Sequence, residues 1–295
     1  MTATAPSGAR YGVTSMVAPL KRVLVRRPAL AGDWDGAGWR TPDPVGLERQ
    51  HAAFVELLDG LGVEVEVADA LDGQVDAVYM HDPLIVSGRG GIPLNMAKPA
   101  RMREPGHAAE ALAAVDVPVI GTLDGDAFAD GGDRFWLDDK TALIGLGYRT
   151  NRKGAARVQE LLAPEGIHVE TYDMPHDQGA AYVLHLQSFL SAVTEQLFVV
   201  YEPLAPVRLL QDIQARGIEY IAIDHDSYLA MGCNLLAVRP GVVVMVDGVP
   251  AVRNALEDHG VEVHVYDGSD LSLKGDGGPT CLTAPLLRRS EFSEP

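Results

Sequence analysis

A short segment recurs five times along this chain, and no other feature restricts the fold as tightly. The copies are Gly62-VEVEVA-Asp69, Val117-PVIGTL-Asp124, Gly166-IHVETY-Asp173, Gly217-IEYIAI-Asp224 and Gly260-VEVHVY-Asp267. Each is an apolar or aromatic alternation closed by Asp seven residues after its start, and the closing residues stand 55, 49, 51 and 43 apart. Self-similarity at a nearly constant period marks a repeated supersecondary unit. Four copies begin with Gly; the second begins with Val117 and is the weakest.

Apolar residues at helical spacing precede the copies: Val158, Leu161 and Leu162; Val207, Leu210 and Ile213; Val252 and Leu256. The Gly then falls where a helix ends in a left-handed residue, and the alternation after it reads as a strand. Further strand-like runs come before each helix, including Lys21-RVLV-Arg26, Thr141-ALIGL-Gly147, Gln196-LFVV-Tyr201, Leu235-LAV-Arg239 and Val242-VVM-Val246. The unit is therefore strand–strand–helix–strand, about 50 residues long, too small to bury its own apolar face. Five such α/β modules packed side by side and closed into a ring would make one domain with pseudo-fivefold symmetry. The sequence predicts that domain over residues 16–290, after a disordered lead-in over 1–15 that is rich in Ala, Thr, Ser, Pro and Gly.

Composition narrows the function. Of 295 residues, 47% are hydrophobic and 22% charged, the balance of a globular protein, and the net charge is −17. So acidic a surface repels phosphate backbones and anionic lipid, so neither nucleic acid nor membrane is an expected partner. The two cysteines, Cys233 and Cys281, cannot build a disulfide framework and show no zinc spacing. With no apolar signal core at the start, a reduced, cytoplasmic protein is expected. The acidic surface is compatible with a homodimer, and no sequence feature demands one.

In a ring of like modules, equivalent positions meet near the axis. The stretch after each closing Asp contains one chemically notable residue: Asp82, Asp130, His185, Asn234 and Cys281. That set holds a thiol, an imidazole and two carboxylates, suited to a nucleophile, a general acid/base and a grip on a cation. Cys233 lies in an apolar run and reads as a small buried hydrophobe. Cys281 follows the polar loop Asp276-GGP-Thr280, which leaves a thiol approachable. His81, His225 and Asp226 lack a third ligand at any recognised spacing, so no metal is expected.

The ordered stretches Leu123-DGDAFADGGD-Arg134, Gly145-LGYRTNRKGA-Ala156, Leu184-HLQSF-Leu190, Gly232-CN-Leu235 and Asp276-GGPTC-Leu282 resemble the guanidine-modifying enzymes of the pentein superfamily. Within it they are most similar to dimethylarginine dimethylaminohydrolases, over about Lys21 to Leu287. The resemblance implies a five-bladed α/β-propeller that works without a cofactor on a small guanidine substrate, arginine or a methylarginine. It implies Cys281 as nucleophile, His185 as general acid/base and Asp130 as its carboxylate partner. Asp82 would bind the substrate guanidinium, Arg101 and Arg149 its α-carboxylate, and the backbone of Asp276 would also contact the guanidinium. A protonated His185 and a cationic substrate would favour the Cys281 thiolate. The implied reaction is hydrolysis of an N-methylated arginine to citrulline and an amine through a covalent Cys adduct.

Two departures bear on the branch. Arginine deiminases and amidinotransferases usually carry Asp two residues after the catalytic His, where this chain has Gln187. The second acid that dimethylargininases carry just after the Asp82 position is missing from Pro83-LIVSGR-Gly90, leaving Asn95 or Met96 as candidates to line the pocket there. Deiminase or dihydrolase action on another guanidine, amidino transfer, and a non-catalytic member that binds a partner through its ring all stay open.

Overall fold

The structure, a computed structural model, describes residues 10–289. Its strands follow from the recurrent segments: a helix ends, one residue turns left-handed, and the chain runs back beside the strand it left. The turning glycines Gly62, Gly166, Gly217 and Gly260 have φ of 82°, 72°, 72° and 76°, where a Cβ would be strained.

Strand β1 (Leu20–Arg26) leads through α1 (Trp34–Ala37) and α2 (Pro44–Gly60) to β2 (Glu64–Ala68), which pairs parallel with β1, Val23 opposite Val65. Next come the antiparallel pair β3 (Leu84–Ser87) and β4 (Gly90–Pro93), followed by α3 (Glu104–Ala114). The third set is β5 (Arg134–Trp136), β6 (Thr141–Leu146), α4 (Arg152–Leu162) and β7 (His168–Asp173). The fourth is β8 (Leu190–Ala192), β9 (Leu197–Val200), α5 (Val207–Ala215) and β10 (Glu219–Ala222). After α6 (His225–Leu229), the fifth is β11 (Leu236–Arg239), β12 (Val242–Val246), α7 (Pro250–Asp258) and β13 (Glu262–Tyr266). A last strand, β14 (Ala284–Arg288), returns to β1.

Five small sheets result: β14-β1-β2, β3-β4, β5-β6-β7, β8-β9-β10 and β11-β12-β13. In each three-stranded sheet the first pair is antiparallel and the second parallel, as a strand–strand–helix–strand unit requires. One sheet joins segments far apart in the chain, because β14 supplies the strand that none of the described residues before β1 provides. Apolar side chains fill the spaces between sheets and helices: Phe54 and Leu58 of α2 pack with Val23 of β1, and Val158 and Leu162 of α4 with Ile144 of β6.

Three expectations are corrected. In the second copy the left-handed residue is Asp116 (φ 58°), one position before Val117. Its strand shrinks to a single bridge, Gly91 to Val119, beside Pro118, which has no N–H to extend a ladder. In α5 the buried face is Leu209 and Ile213; Val207, first after Pro206, is 71% exposed. The lead-in does not extend to residue 15: Gly12 donates to the Leu286 carbonyl and Val13 is buried, so the packed chain begins before residue 16. The rest of that lead-in, residues 1–9, lies outside the described residues, as does residue 290 at the other end of the expected domain.

Candidate active site

The five polar positions singled out after the closing Asp residues share one structural address. Asp82, Asp130, His185, Asn234 and Cys281 each lie in the turn just before the antiparallel strand that opens a sheet: β3, β5, β8, β11 and β14. Hydrogen bonds join these turns in a closed circuit. His81 N donates to the Cys281 carbonyl at 3.1 Å, and Gly131 N to the Asp82 carbonyl at 2.8 Å. Leu186 N donates to Asp133 Oδ1 at 3.1 Å, Ser191 Oγ to the Cys233 carbonyl at 2.6 Å, and Thr280 N to Asn234 Oδ1 at 3.1 Å. Backbone turns locked to one another hold their side chains with little freedom, which is what a preorganised site needs.

His185 sits between two carboxylates, its Nε2 3.1 Å from Asp130 Oδ2 and its Nδ1 3.7 Å from Asp82 Oδ1. Burial alone would lower its pKa, but Asp82, the bond to Asp130, and Asp133 raise it to about 9, so the imidazole is protonated at neutral pH. Gly132 makes the approach possible, since a Cβ there would collide with His185 Nδ1. Burial works against ionisation of Asp82 as well, yet Arg101 and His185 bring its carboxyl below the usual range. Oδ1 of Asp82 and Oδ1 of Asp130 are both buried with no hydrogen-bond partner among the described residues. Two vacant acceptors beside an imidazolium suit a ligand carrying several N–H groups.

Cys281 is half-buried, and Asn234 Nδ2 lies 3.1 Å from its Sγ. Burial and the Asp82 charge push the thiol up to about 12, outweighing Asn234 and Arg101, which favour the thiolate. The ligand-free thiol is therefore neutral at pH 7. Cys233 is fully buried in apolar surroundings, with its thiol likewise pushed up to about 12 by burial.

The two arginines meet different fates. Arg101 is buried, its NH1 2.6 Å from Asp82 Oδ2 and its NH2 2.7 Å from Glu104 Oε2, with its Nε also donating to Glu104 and its NH2 to the Asp76 and Tyr79 carbonyls. It is a counter-ion spent within the protein, not an open grip for a carboxylate. Arg149 is buried with its Nε unpartnered, and makes no ion pair among the described residues. Asp276 has left-handed backbone (φ 56°), and its side chain turns to Arg40 NH2 at 2.6 Å.

Several residues here carried no sequence-based role. Asn234 was visible as a convergent position without a task. Asp133, which accepts from Thr150 Oγ1 at 2.6 Å and from Leu186 N, fixes the turn holding His185; burial pushes its carboxyl up to about 7. Glu104, pushed up to about 7 by burial, had no signal at all. Asn95 donates to the Gly125 and Ala127 carbonyls at 3.1 and 3.2 Å, and Met96 is fully buried, so neither presents an acid in place of the missing one. His81 holds the Thr283 carbonyl and Gln187, and burial lowers its pKa to about 3. No group of three or more metal-ligating side chains occurs among the described residues.

Similarity to known proteins runs in the same direction. The chain is 24% identical over 262 residues to an arginine deiminase of Listeria welshimeri, covering 75% of this chain and 63% of that protein. It thus spans less than two thirds of that relative's length. It is 26% identical over 243 residues to the uncharacterized protein YkgA of Bacillus subtilis, covering 81% and 79% of the two chains. In fold it is similar to dimethylarginine dimethylaminohydrolase from Pseudomonas aeruginosa, solved as a cysteine-to-serine mutant complexed with citrulline, with TM-score 0.76, 20% identity, and 90% and 99% coverage. It is also similar in fold to the N-terminal domain of ArgZ, an arginine dihydrolase from cyanobacteria, with TM-score 0.77, 17% identity, and 92% and 97% coverage. The family model described as N,N dimethylarginine dimethylhydrolase, eukaryotic, matches residues 47–288, nearly the whole described chain and all five turns of the site. By that match the chain belongs to the N,N-dimethylarginine dimethylhydrolase family.

Proposed function

We propose that the chain is a cofactor-independent hydrolase of arginine-type guanidinium groups, with N-methylated arginine as preferred substrate and citrulline as product. The observation that carries this reading is the pair of vacant buried oxygens, Asp82 Oδ1 and Asp130 Oδ1, flanking a protonated His185. A guanidinium presents planar N–H donors and a positive charge, and charge-assisted bonds to those oxygens would hold it beside the sulfur. Five like sheets, their opening turns bonded in a circuit, support a five-bladed α/β-propeller with pseudo-fivefold symmetry, the site at its axis.

In this reading the cationic substrate supplies what the ligand-free site lacks. Its charge beside Cys281 favours the thiolate, and the thiol proton leaves to solvent. Sulfur attacks the central guanidinium carbon, and His185 gives its proton to the departing amine, leaving a thiouronium adduct on Cys281. The neutral His185 then takes a proton from water, whose oxygen adds to the same carbon. The carbon–sulfur bond then breaks as the hydroxyl proton of the adduct leaves to solvent, giving the ureido product and the thiolate. Asp130 holds the imidazole through both transfers, and Asn234 stabilises the sulfur anion. Arg149 anchors the substrate carboxylate; Arg101 joins it only by leaving Asp82 and Glu104. The backbone at Asp276 contacts the guanidinium. A working thiol needs a reducing compartment, and on that ground we assign the chain to the cytoplasm.

Deiminase action on unmethylated arginine is the second reading, favoured by the arginine deiminases among the relatives. A panel of arginine, monomethylarginine, asymmetric dimethylarginine and agmatine, read for citrulline and released amine with Cys281→Ser as blank, decides between them. We expect citrulline with methylamine or dimethylamine, abolished in the variant. Ammonia from arginine alone would move the chain to the deiminase reading. No product from any of the four would overturn both.

A further inference from the structure

Beside the active-site turns, two arginines are buried with no carboxylate partner among the described residues. Arg134 opens β5 at the end of the Asp-Gly-Gly-Asp stretch, and Arg288 ends β14; they are 4% and 7% exposed. Arg134 NH1 is 3.5 Å from Met16 Sδ, its NH2 is 3.4 Å from His81 Nε2, and its Nε has no partner. Arg288 donates to the Ala18 and Ala237 carbonyls at 2.8 Å each. Neither makes an ion pair among the described residues. Burial pushes the Arg134 guanidinium down to about 9, and burial together with the Arg134 charge does the same to Arg288. Two like charges so placed are costly unless an anion joins them.

Both line one cavity of about 10 Å³, together with Ser15, His81 and Thr280. No acidic side chain among the described residues lines it. That is about the smallest space that takes a water-sized occupant, so a monatomic ion is a closer fit to it than sulfate or phosphate. A water there would satisfy N–H groups but neutralise nothing. The cavity shares Val13, Ser15, Met16, Ala192 and Arg288 with a groove of about 690 Å³, so the two adjoin. The acids of that groove, among them Asp138, Glu165 and Glu195, do not line the cavity.

We propose that this cavity is a halide site, in which one chloride ion bridges the Arg134 and Arg288 guanidiniums beside the active-site turns. The ion ties β5 to β14, and so the middle of the chain to its end, and it stands independently of the reading of Cys281. The test uses the full chain prepared in sodium gluconate and titrated with chloride, bromide or sulfate at fixed ionic strength and pH. A saturable rise in melting temperature with chloride and bromide, absent with sulfate and lost in Arg134→Met, is expected. Crystals of the unsubstituted protein grown in bromide should show one anomalous peak between the two guanidiniums, which keeps the test informative if the variant does not fold. Identical melting responses to all three salts, or bromide crystals with no peak in this cavity, would overturn the proposal.

Discussion

At the residue scale, the site is governed by how burial and charge divide between one thiol and one imidazole. His185 is held protonated by Asp82, Asp130 and Asp133, while Cys281 is held neutral by burial and by Asp82. Alkylation of Cys281 by iodoacetamide should therefore be slow at pH 7 and still climbing at pH 9, because the thiol is pushed up to about 12. A dead-end amidinium ligand that leaves Sγ exposed should accelerate it. Equal, pH-independent labelling of Cys281 and Cys233 would refute this account. The sign for His185 is fixed by its raised pKa: its stabilising contribution is whole below pH 6.5 and is lost as pH rises through about 9. The alkaline limb of kcat should accordingly lie near pH 9. Asp130→Asn, which removes one raising influence, should move that limb downward with the protein still folded. Asn234→Ala removes a donor to the sulfur anion, a loss of roughly 1.5–3 kcal/mol, which is about ten- to a hundredfold in kcat/KM. Steady-state kinetics on folded variants checks both.

At the scale of elements, each sheet delivers its functional residue because the turn before its opening strand is short and hydrogen-bonded to the next. Helix packing sets those turns. Gly154 in the first turn of α4 lets the helix seat against the loop preceding Asp130: its added Cβ would collide with the Phe128 carbonyl oxygen, and the N-cap Asn151 Oδ1 accepts from both Gly154 N and Phe128 N of that loop. Gly154→Ala forces backbone apart and should cost about 1–3 kcal/mol in chemical unfolding, against the mild gain Ala gives inside an unconstrained helix. An unchanged midpoint would mean that the loop yields freely. The repeat made these elements legible. Its glycines and β-branched alternation are local signals, and β2, β7, β10 and β13 follow from them. The second copy misled by one residue because Asp116 adopts a conformation usually left to glycine, which the residue type does not announce.

At the scale of the whole molecule, a net charge of −17 belongs to a chain whose proposed substrate is a cation. Long-range attraction of this kind is screened by salt, with a Debye length of about 10 Å at 0.1 M. KM for a cationic guanidine should rise severalfold between 20 and about 300 mM salt, whereas kcat stays level, because the locked turns are shielded from solvent. This series must be run at constant chloride, so that occupancy of the Arg134–Arg288 cavity does not change with it. A KM indifferent to ionic strength would show that the surface charge does not reach the site.

The sequence alone determined the repeated α/β unit, its helices and parallel strands, and the residues Cys281, His185, Asp130 and Asp82 as one family of equivalent positions. These follow from periodicity and from residue type at a fixed place in the unit, both of which are local. The tertiary structure decided the rest. The pairing of β14 with β1 joins distant segments, which no local pattern encodes. The capture of Arg101 by Asp82 and Glu104, the vacancy of Arg149 and the isolation of Arg134 and Arg288 depend on which charges fall within a few ångströms of each other. So does the neutral state of Cys281: a side chain's ionisation follows from burial and neighbouring charge, and both exist only once the chain has closed on itself.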